Sequence, residues 1–407
     1  MLKRNKELNK KLQDWLAKPG NNFCALPFMH MAIESDGAIR PCCMGDKFDL
    51  NIKGKTIQEV YNDPIRAEFV DSFRRNEKHP LCNVCWKDPY PRIKNSGVGH
   101  GREVTLQAMN GNIPEHKLRW LEIKPGNRCN LKCRICGVHN SSTWAKDSAA
   151  MEEPKVKFKN SKAFKYTQSC DWIEDDNFWN DINELESIEY IHFMGGEPYM
   201  VPEHFQLLER LIEHPTIDTS KILVGYNTNG TYFPTKENQE LYKNFKKILI
   251  AISIDDINDR FEYQRSLAKW VEIKSNLIKF KELNKNNYDA HLDPTISLFN
   301  IFYLEEIVNA FTEIGFTSFI EEEHYVYNGP AAIHVMPQSV KDIIIEKYKN
   351  TNNTWILNAI KYMNSQRSDE KLWKEFINDI KHLDILRKEN FENTFPEWSK
   401  VIKPYYE

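Results

Sequence analysis

Between residues 118 and 326 short apolar stretches alternate with amphipathic ones, and this alternation constrains the fold more than any other feature of the chain. LRWLEIK, IEYIHFM, ILVGYN, KILIAISI, DAHLDPTISL and FTSFIEEEHYV have the length and the β-branched or aromatic content of strands. Between them, EHFQLLERLIEH, KWVEIKSNLIKFKEL and LEEIVNAFTEIG repeat their apolar residues at helical spacing. A strand reaches a parallel neighbour only through a crossover long enough to hold a helix, and such crossovers are right-handed. Six strands connected in this way predict an α/β fold, an open or partial β/α barrel.

The flanks read differently. The first twenty residues predict a charged amphipathic helix ending at Pro19-Gly20, and FMHMAIESDGAIRPCC predicts a hairpin turning at Asp36-Gly37. Thr56-Ile57-Gln58-Glu59 has the form of a capping box, and Asp63-Pro64 predicts a second helix start running to about Lys78. Residues 87–116 hold Pro89, Pro91, Gly97, Gly99, Gly101, Gly111 and Pro114 with little periodicity, which predicts a linker. The stretch after residue 335 predicts helices with an aromatic-rich tail. The expected division is an N-terminal domain over 1–100, a linker over 101–116, a barrel over 117–335 and a helical extension over 336–407.

Charge and hydropathy narrow the function classes. Lys and Arg total 55 against 58 Asp and Glu, a net charge of −3, which lacks the basic footprint of a nucleic-acid binder. No apolar run approaches the roughly 18–20 residues of a membrane span, and the N-terminus lacks the apolar core of a secretory signal. The expectation is a cytoplasmic protein with no membrane or nucleic-acid partner.

Nine cysteines remain to be explained, eight of them in the first third of the chain. A reducing compartment disfavours disulfides, and short-spaced thiolates there are more often metal ligands. Cys129, Cys133 and Cys136 sit on one loop directly after the first predicted barrel strand, at the end where β/α proteins place their chemistry. Three thiolates would leave one iron of a 4Fe–4S cluster without a protein ligand, an open position of the kind that catalytic zinc sites keep. A zinc knuckle or three unrelated core cysteines are the duller alternatives.

The CxxxCxxC spacing resembles the signature of the radical S-adenosylmethionine enzymes, although Ile135 stands where the family commonly has an aromatic residue. Met194-Gly195-Gly196-Glu197-Pro198 resembles that family's GGEP motif, and the resemblance implies contact with the amino group of S-adenosylmethionine. Asn227-Thr228-Asn229-Gly230 and Ser253-Ile254-Asp255-Asp256 resemble the family's polar strand ends, which line the cofactor's ribose and carboxylate. Arg265 takes the place of an arginine that often pairs with that carboxylate. The implied cofactor contacts are therefore Gly195, Gly196, Glu197, Pro198, Asn227, Asn229, Ser253, Asp255 and Arg265.

Cys24, Cys42, Cys82 and Cys85 make a second set of four, with Cys43 spare because adjacent cysteines rarely both reach one metal. Their arrangement resembles the twitch domain, a shortened SPASM domain, here preceding the barrel. The resemblance implies a small α+β domain holding an auxiliary 4Fe–4S cluster, and a Cys₄ zinc site is the alternative for these spacings. His30 reads as a packed core residue and Cys170 as an incidental loop residue.

Together the resemblances imply an enzyme that reductively cleaves S-adenosylmethionine and abstracts hydrogen from a peptide or small-molecule substrate. The second cluster would take part in electron transfer, and an external one-electron reductant of the flavodoxin or ferredoxin type would feed the first. EEEHYVYNGPAAIHVMP is expected near the barrel mouth. A non-catalytic zinc protein and an iron–sulfur electron carrier are the rival readings.

Overall fold

A computed structural model describes residues 2–97, 101–182, 184–284, 287–317 and 324–405. Its strands in chain order are β1 (His30–Ile33), β2 (Ile39–Arg40), β3 (Trp120–Ile123), β4 (Lys132–Cys133), β5 (Tyr190–Phe193), β6 (Leu223–Thr228), β7 (Lys247–Ile252), β8 (Arg265–Ser266), β9 (Tyr288–Leu292), β10 (Thr295–Ile296) and β11 (His324–Tyr325). The chain divides into two compact units that interleave along the sequence. One holds Met1–Asn127, Gln168–Tyr226 and Glu237–Lys247, and the other Arg128–Thr167, Asn227–Lys236 and Ile248–Glu407.

In the first unit, β1, β3, β5 and β6 run parallel in that order, with His30 opposite Trp120, Trp120 opposite Tyr190 and Tyr190 opposite Leu223. Alternate residues of a strand point to opposite faces. One face, made by Met31, Ile33, Leu121, Ile123, Ile191, Phe193, Val224 and Tyr226, is closed from solvent. The other carries His30, Trp120, Glu122, Tyr190 and His192. Gly225 is required on that second face, because a Cβ there would lie 2.3 Å from the Tyr190 hydroxyl.

The Asp36-Gly37 hairpin forms as expected, with β1 and β2 antiparallel and Gly37 at φ +81°. It is not set apart from the barrel strands, however, because β1 pairs along its whole length with β3. His30 is buried as expected, its Nδ1 2.9 Å from the Pro41 carbonyl and its ring edge-on to Trp120. The Thr56–Glu59 capping box closes in both directions, and Asp63 caps the helix Pro64–Arg74.

The expected linker is where the structure departs from the sequence reading. Helices Tyr90–Gly97 and Gly101–Met109 fill most of it, while residues 98–100 lie outside the described residues. Pro91 falls in the first turn of its helix, where a missing N–H costs nothing. Gly97 and Gly101 serve close packing: an added Cβ would lie 2.7 Å from the Gln13 side chain in one case and 2.4 Å from the Asn95 carbonyl in the other.

In the second unit β7 and β9 pair in parallel, Ile248 opposite Tyr288 through Ile252 opposite Leu292. Helix Trp270–Leu283 buries Trp270, Ile273, Leu277 and Phe280, and helix Leu304–Ile314 stops at Gly315 in the left-handed region. The predicted strand DAHLDPTISL is split into β9 and β10. Of FTSFIEEEHYV and EEEHYVYNGPAAIHVMP, residues 318–323 lie outside the described residues, and β11 keeps His324 and Tyr325. Helices Gln338–Lys347, Thr354–Ser365, Glu370–Arg387 and Pro396–Ile402 make up the extension. No helix among the described residues is long and apolar enough to cross a membrane.

Candidate iron–sulfur and cofactor site

Cys129, Cys133 and Cys136 lie in the second unit on a loop that is ordered by hydrogen bonds to its sulfurs. The Leu131 amide donates to Cys129 Sγ at 3.5 Å, and Asn229 Nδ2 donates to the same sulfur at 3.8 Å. Asn229 also donates to Asn130 Oδ1 at 2.9 Å, while its own Oδ1 accepts the Thr231 amide at 2.9 Å. The side-chain amide is thereby fixed in orientation by an Asx turn.

Cys133 is held from the other side. β4 pairs antiparallel with β8 and sets Cys133 opposite Arg265. Arg265 Nη1 reaches Cys133 Sγ at 3.7 Å, while its Nε and Nη2 grip Asp255 Oδ2 at 2.9 and 2.7 Å. Asp255 is kept in place by the Thr295 amide at 2.9 Å and, through its carbonyl, by Asn300 Nδ2 at 2.9 Å. Ser253 donates its backbone N–H to the Thr228 carbonyl at 2.8 Å. Gly230 turns the chain at φ +76° with the Ile252 side chain 2.9 Å from where its Cβ would stand.

Burial, with the Cys133 sulfur beside it, pushes the Cys136 thiol up to about 12, and burial also raises Cys133. Bare, these are neutral thiols, so metal ligation would release their protons. The donor set fits a 4Fe–4S cluster: three sulfurs on one loop, with N–H groups aimed at two of them as at iron-bound thiolates. The second unit contains no fourth cysteine. Against the same loop lies a cavity of about 340 Å³, walled by Ile135, Cys136, Val138, Phe299 and Phe376. Asp379 also lines it, and burial together with Glu375 pushes that carboxyl up to about 6.

The glycine motif belongs to the first unit. Gly195 and Gly196 both adopt positive φ, +74° and +57°, and a Cβ on Gly195 would stand 2.8 Å from the Lys124 side chain. Glu197 is fully buried and accepts the Tyr199 amide at 3.3 Å, capping the short helix Pro198–Met200.

The other cysteine group also lies in the first unit. Cys24 precedes helix Leu26–Met29, Cys42 follows the hairpin, and Cys82 and Cys85 span the join of helices Pro80–Cys82 and Asn83–Lys87. The Asp46 amide donates to the Leu81 carbonyl at 2.8 Å, tying the hairpin's return to the Cys82 turn. Ser96 Oγ stands 3.5 Å from Cys24 Sγ. All four thiols are raised by burial, and Cys24 acts electrostatically on each of Cys42, Cys82 and Cys85. Cys43 instead senses chiefly Glu122 and Lys124, and burial pushes it up to about 12. Among the described residues no group of three or more His, Cys, Asp or Glu side chains is arranged to hold a single metal ion. Cys170 is buried in the same unit, and its thiol is pushed up to about 12.

Sequence reasoning missed Asn130, Thr231 and Arg134. Asn130 and Thr231 are neighbours of recognised motif residues and could have been included with them. Arg134 carries no such signal, since its partners Asp384 and Glu389 are 250 and 255 residues away.

Residues 123–310 match the model of the radical SAM superfamily, and residues 24–86 match the SPASM iron–sulfur cluster-binding domain. The chain thus carries a radical SAM domain preceded by a SPASM-type domain. An uncharacterized protein of Methanocaldococcus jannaschii is 25% identical over 209 residues, 49% of this chain and 61% of that relative's length. Among solved structures, anSMEcpe with bound AdoMet matches at 16% identity over 67% of each chain, with a TM-score of 0.36. SuiB of Streptococcus suis bound to its precursor peptide SuiA matches at 14% identity over 90% of this chain and 75% of its own, with a TM-score of 0.35.

Proposed function

We propose that the chain cleaves S-adenosylmethionine reductively on a 4Fe–4S cluster held by Cys129, Cys133 and Cys136, and uses the result to take hydrogen from a peptide or small-molecule substrate. The observation that carries this reading is the three-sulfur loop with Asn229 and Arg265 aimed at two of its sulfurs, in a unit whose sequence holds three cysteines in all. When bound, such a cluster supplies the electron that splits the cofactor into methionine and a 5′-deoxyadenosyl radical.

The chain's own residues bind, tune and orient. Asn229 and Arg265 donate to sulfur and so draw charge from it, which raises the potential of a bound cluster. Gly195, Gly196, Glu197, Pro198, Asn227, Ser253 and Asp255 are the remaining cofactor contacts in this reading. The apolar cavity beside Cys136 has the volume and walls to take the adenosyl part away from water. Cys24, Cys42, Cys82 and Cys85 hold the auxiliary 4Fe–4S cluster, with Cys43 outside the set, and a flavodoxin- or ferredoxin-type donor supplies electrons. The functional division in this reading is 1–100, 101–116, 117–335 and 336–407, with Gly101–Met109 of the second segment helical.

Iron and sulfide per chain after anaerobic purification test the proposal, together with 5′-deoxyadenosine released on adding S-adenosylmethionine and dithionite. Wild type should carry about eight irons, and a Cys129/Cys133/Cys136→Ala variant about four with no 5′-deoxyadenosine. Stoichiometric zinc with little iron would leave a zinc protein, and two clusters without cofactor cleavage would leave an electron carrier.

A further inference from the structure

The C-terminal helix Glu370–Arg387 ends against the Cys129–Cys136 loop, with Lys132 and Arg134 bonded to it directly and Cys133 linked to it through Trp144. The Lys132 carbonyl accepts Arg387 Nη1 at 2.8 Å, and the same nitrogen lies 3.0 Å from Ser266 Oγ in the facing strand β8. The Cys133 carbonyl accepts Trp144 Nε1 at 2.8 Å, and the Arg387 guanidinium lies 4.4 Å over that Trp144 ring. Arg134, between two of the thiols, sends Nη2 to Asp384 Oδ1 at 2.6 Å and to Glu389 Oε2 at 2.5 Å.

Arg134 is fixed further by Tyr263. Its guanidinium stands 3.6 Å from the Tyr263 ring centre, and the Tyr263 hydroxyl donates to the same Asp384 oxygen at 2.8 Å. Its backbone amide donates to the Gln264 carbonyl at 2.7 Å. Lys388 ends the helix in the left-handed region at φ +55°, and the chain then returns Glu389 to Arg134. The side chains of Arg134 and Arg387 are 0% and 1% exposed. The charges balance, with Arg134, Arg387 and Lys132 facing Asp384, Glu389 and Asp147.

We propose that Asp384, Arg387 and Glu389 are positioning residues of the loop cluster, acting through Arg134 and the loop carbonyls to hold Cys129, Cys133 and Cys136 in ligating shape. The inference rests on the cluster assignment above. It gives the helical extension a working part in the catalytic site rather than a role as a separate appendage. The loop's shape also sets the N–H bonds to sulfur, so these residues govern the potential of a bound cluster as well as its retention.

The test uses the full chain and the near-isosteric variants Asp384→Asn and Glu389→Gln, singly and together. Iron content is read beside the EPR spectrum and midpoint potential of the loop cluster, with and without S-adenosylmethionine. The double variant should keep the auxiliary four irons and the wild-type circular dichroism spectrum and thermal unfolding, which report an intact fold, and lose loop iron toward about four per chain in total. In the single variants the loop signal should broaden and its response to S-adenosylmethionine weaken about tenfold in apparent affinity. Full iron with unchanged spectrum, potential and affinity in all three variants would overturn the inference. A wild-type loop cluster that does not respond to S-adenosylmethionine would instead overturn the cluster reading on which it rests.

Discussion

Cys133 and Arg265 face each other across a two-residue antiparallel ladder, and the arginine spans from the cysteine sulfur at 3.7 Å to the Asp255 carboxylate at 2.7 Å. A buried cation is thus shared between a carboxylate that neutralises it and a sulfur that gains negative charge only when its proton is lost, as on metal ligation. The pairing gives the loop a donor of fixed direction, because the fork of the guanidinium is already committed on one edge.

Arg265→Met should lower the midpoint potential of the loop cluster by on the order of tens of millivolts, since an N–H donor to sulfur favours the more negative, reduced form. An EPR-monitored redox titration reads this directly. Asp255→Ala leaves Arg265, 8% exposed, as an uncompensated buried charge. It should cost about 3–5 kcal/mol of stability in denaturant titration.

Glu197→Ala should leave iron content unchanged while reducing 5′-deoxyadenosine formation by about 10–100-fold or more. The lost cap on Tyr199 N should cost about 1 kcal/mol. Cleavage at the wild-type rate in this variant would remove Glu197 from the cofactor site.

Cys42→Ser should strip the auxiliary cluster, lowering iron from about eight to about four per chain, whereas Cys43→Ser should keep about eight. Besides burial, Cys42 feels the adjacent Cys43 and then Cys24 and Cys82, whereas Cys43 feels Glu122, Lys124 and Cys85. Iron analysis of the two variants side by side decides the assignment, and the reverse pattern would exchange the two residues.

Asp379 supplies a pH dependence. Its carboxyl titrates near 6 in the fold against 3.8 for an ordinary aspartate, so the folded state holds the proton more tightly than the unfolded one. Its contribution to stability is therefore present below about pH 4 and is lost as pH rises through 6. Asp379→Asn should remove that fall and stabilise the protein at pH 7 by on the order of 1 kcal/mol, allowing for solvent at a partly exposed site. Thermal unfolding of wild type and variant at pH 4.5 and pH 7 checks the sign.

The three loop cysteines were legible because they are close in sequence, and Asn229 because it follows a strand whose apolar pattern is plain, whereas Arg265, after helix Asn258–Gln264, was picked out by family resemblance alone. Local signals also located the Thr56 capping box and the Asp36-Gly37 turn. What escaped was set by distance or by ambiguity. No local pattern joins Arg134 to Asp384, and none tells β1 that its parallel neighbour is β3. The region around residues 87–116 was misread because Pro91 and Gly97 have two uses, as chain breakers and as a helix start and a close-packing site. Only the neighbouring Gln13 side chain distinguishes them.

The pairing of β1 with β3 bears on how the protein is made. His30 meets Trp120, so roughly ninety residues must leave the ribosome between the two strands. At ordinary elongation rates that takes about 5–18 s. Throughout that interval the edge of β1 that will meet β3 is open, its backbone groups on that side unpaired, the kind of surface on which nascent chains stick to one another. A chain cut just before residue 117 would leave β3 in the same condition permanently, so the cysteine-bearing N-terminal part cannot be removed as a separable tag.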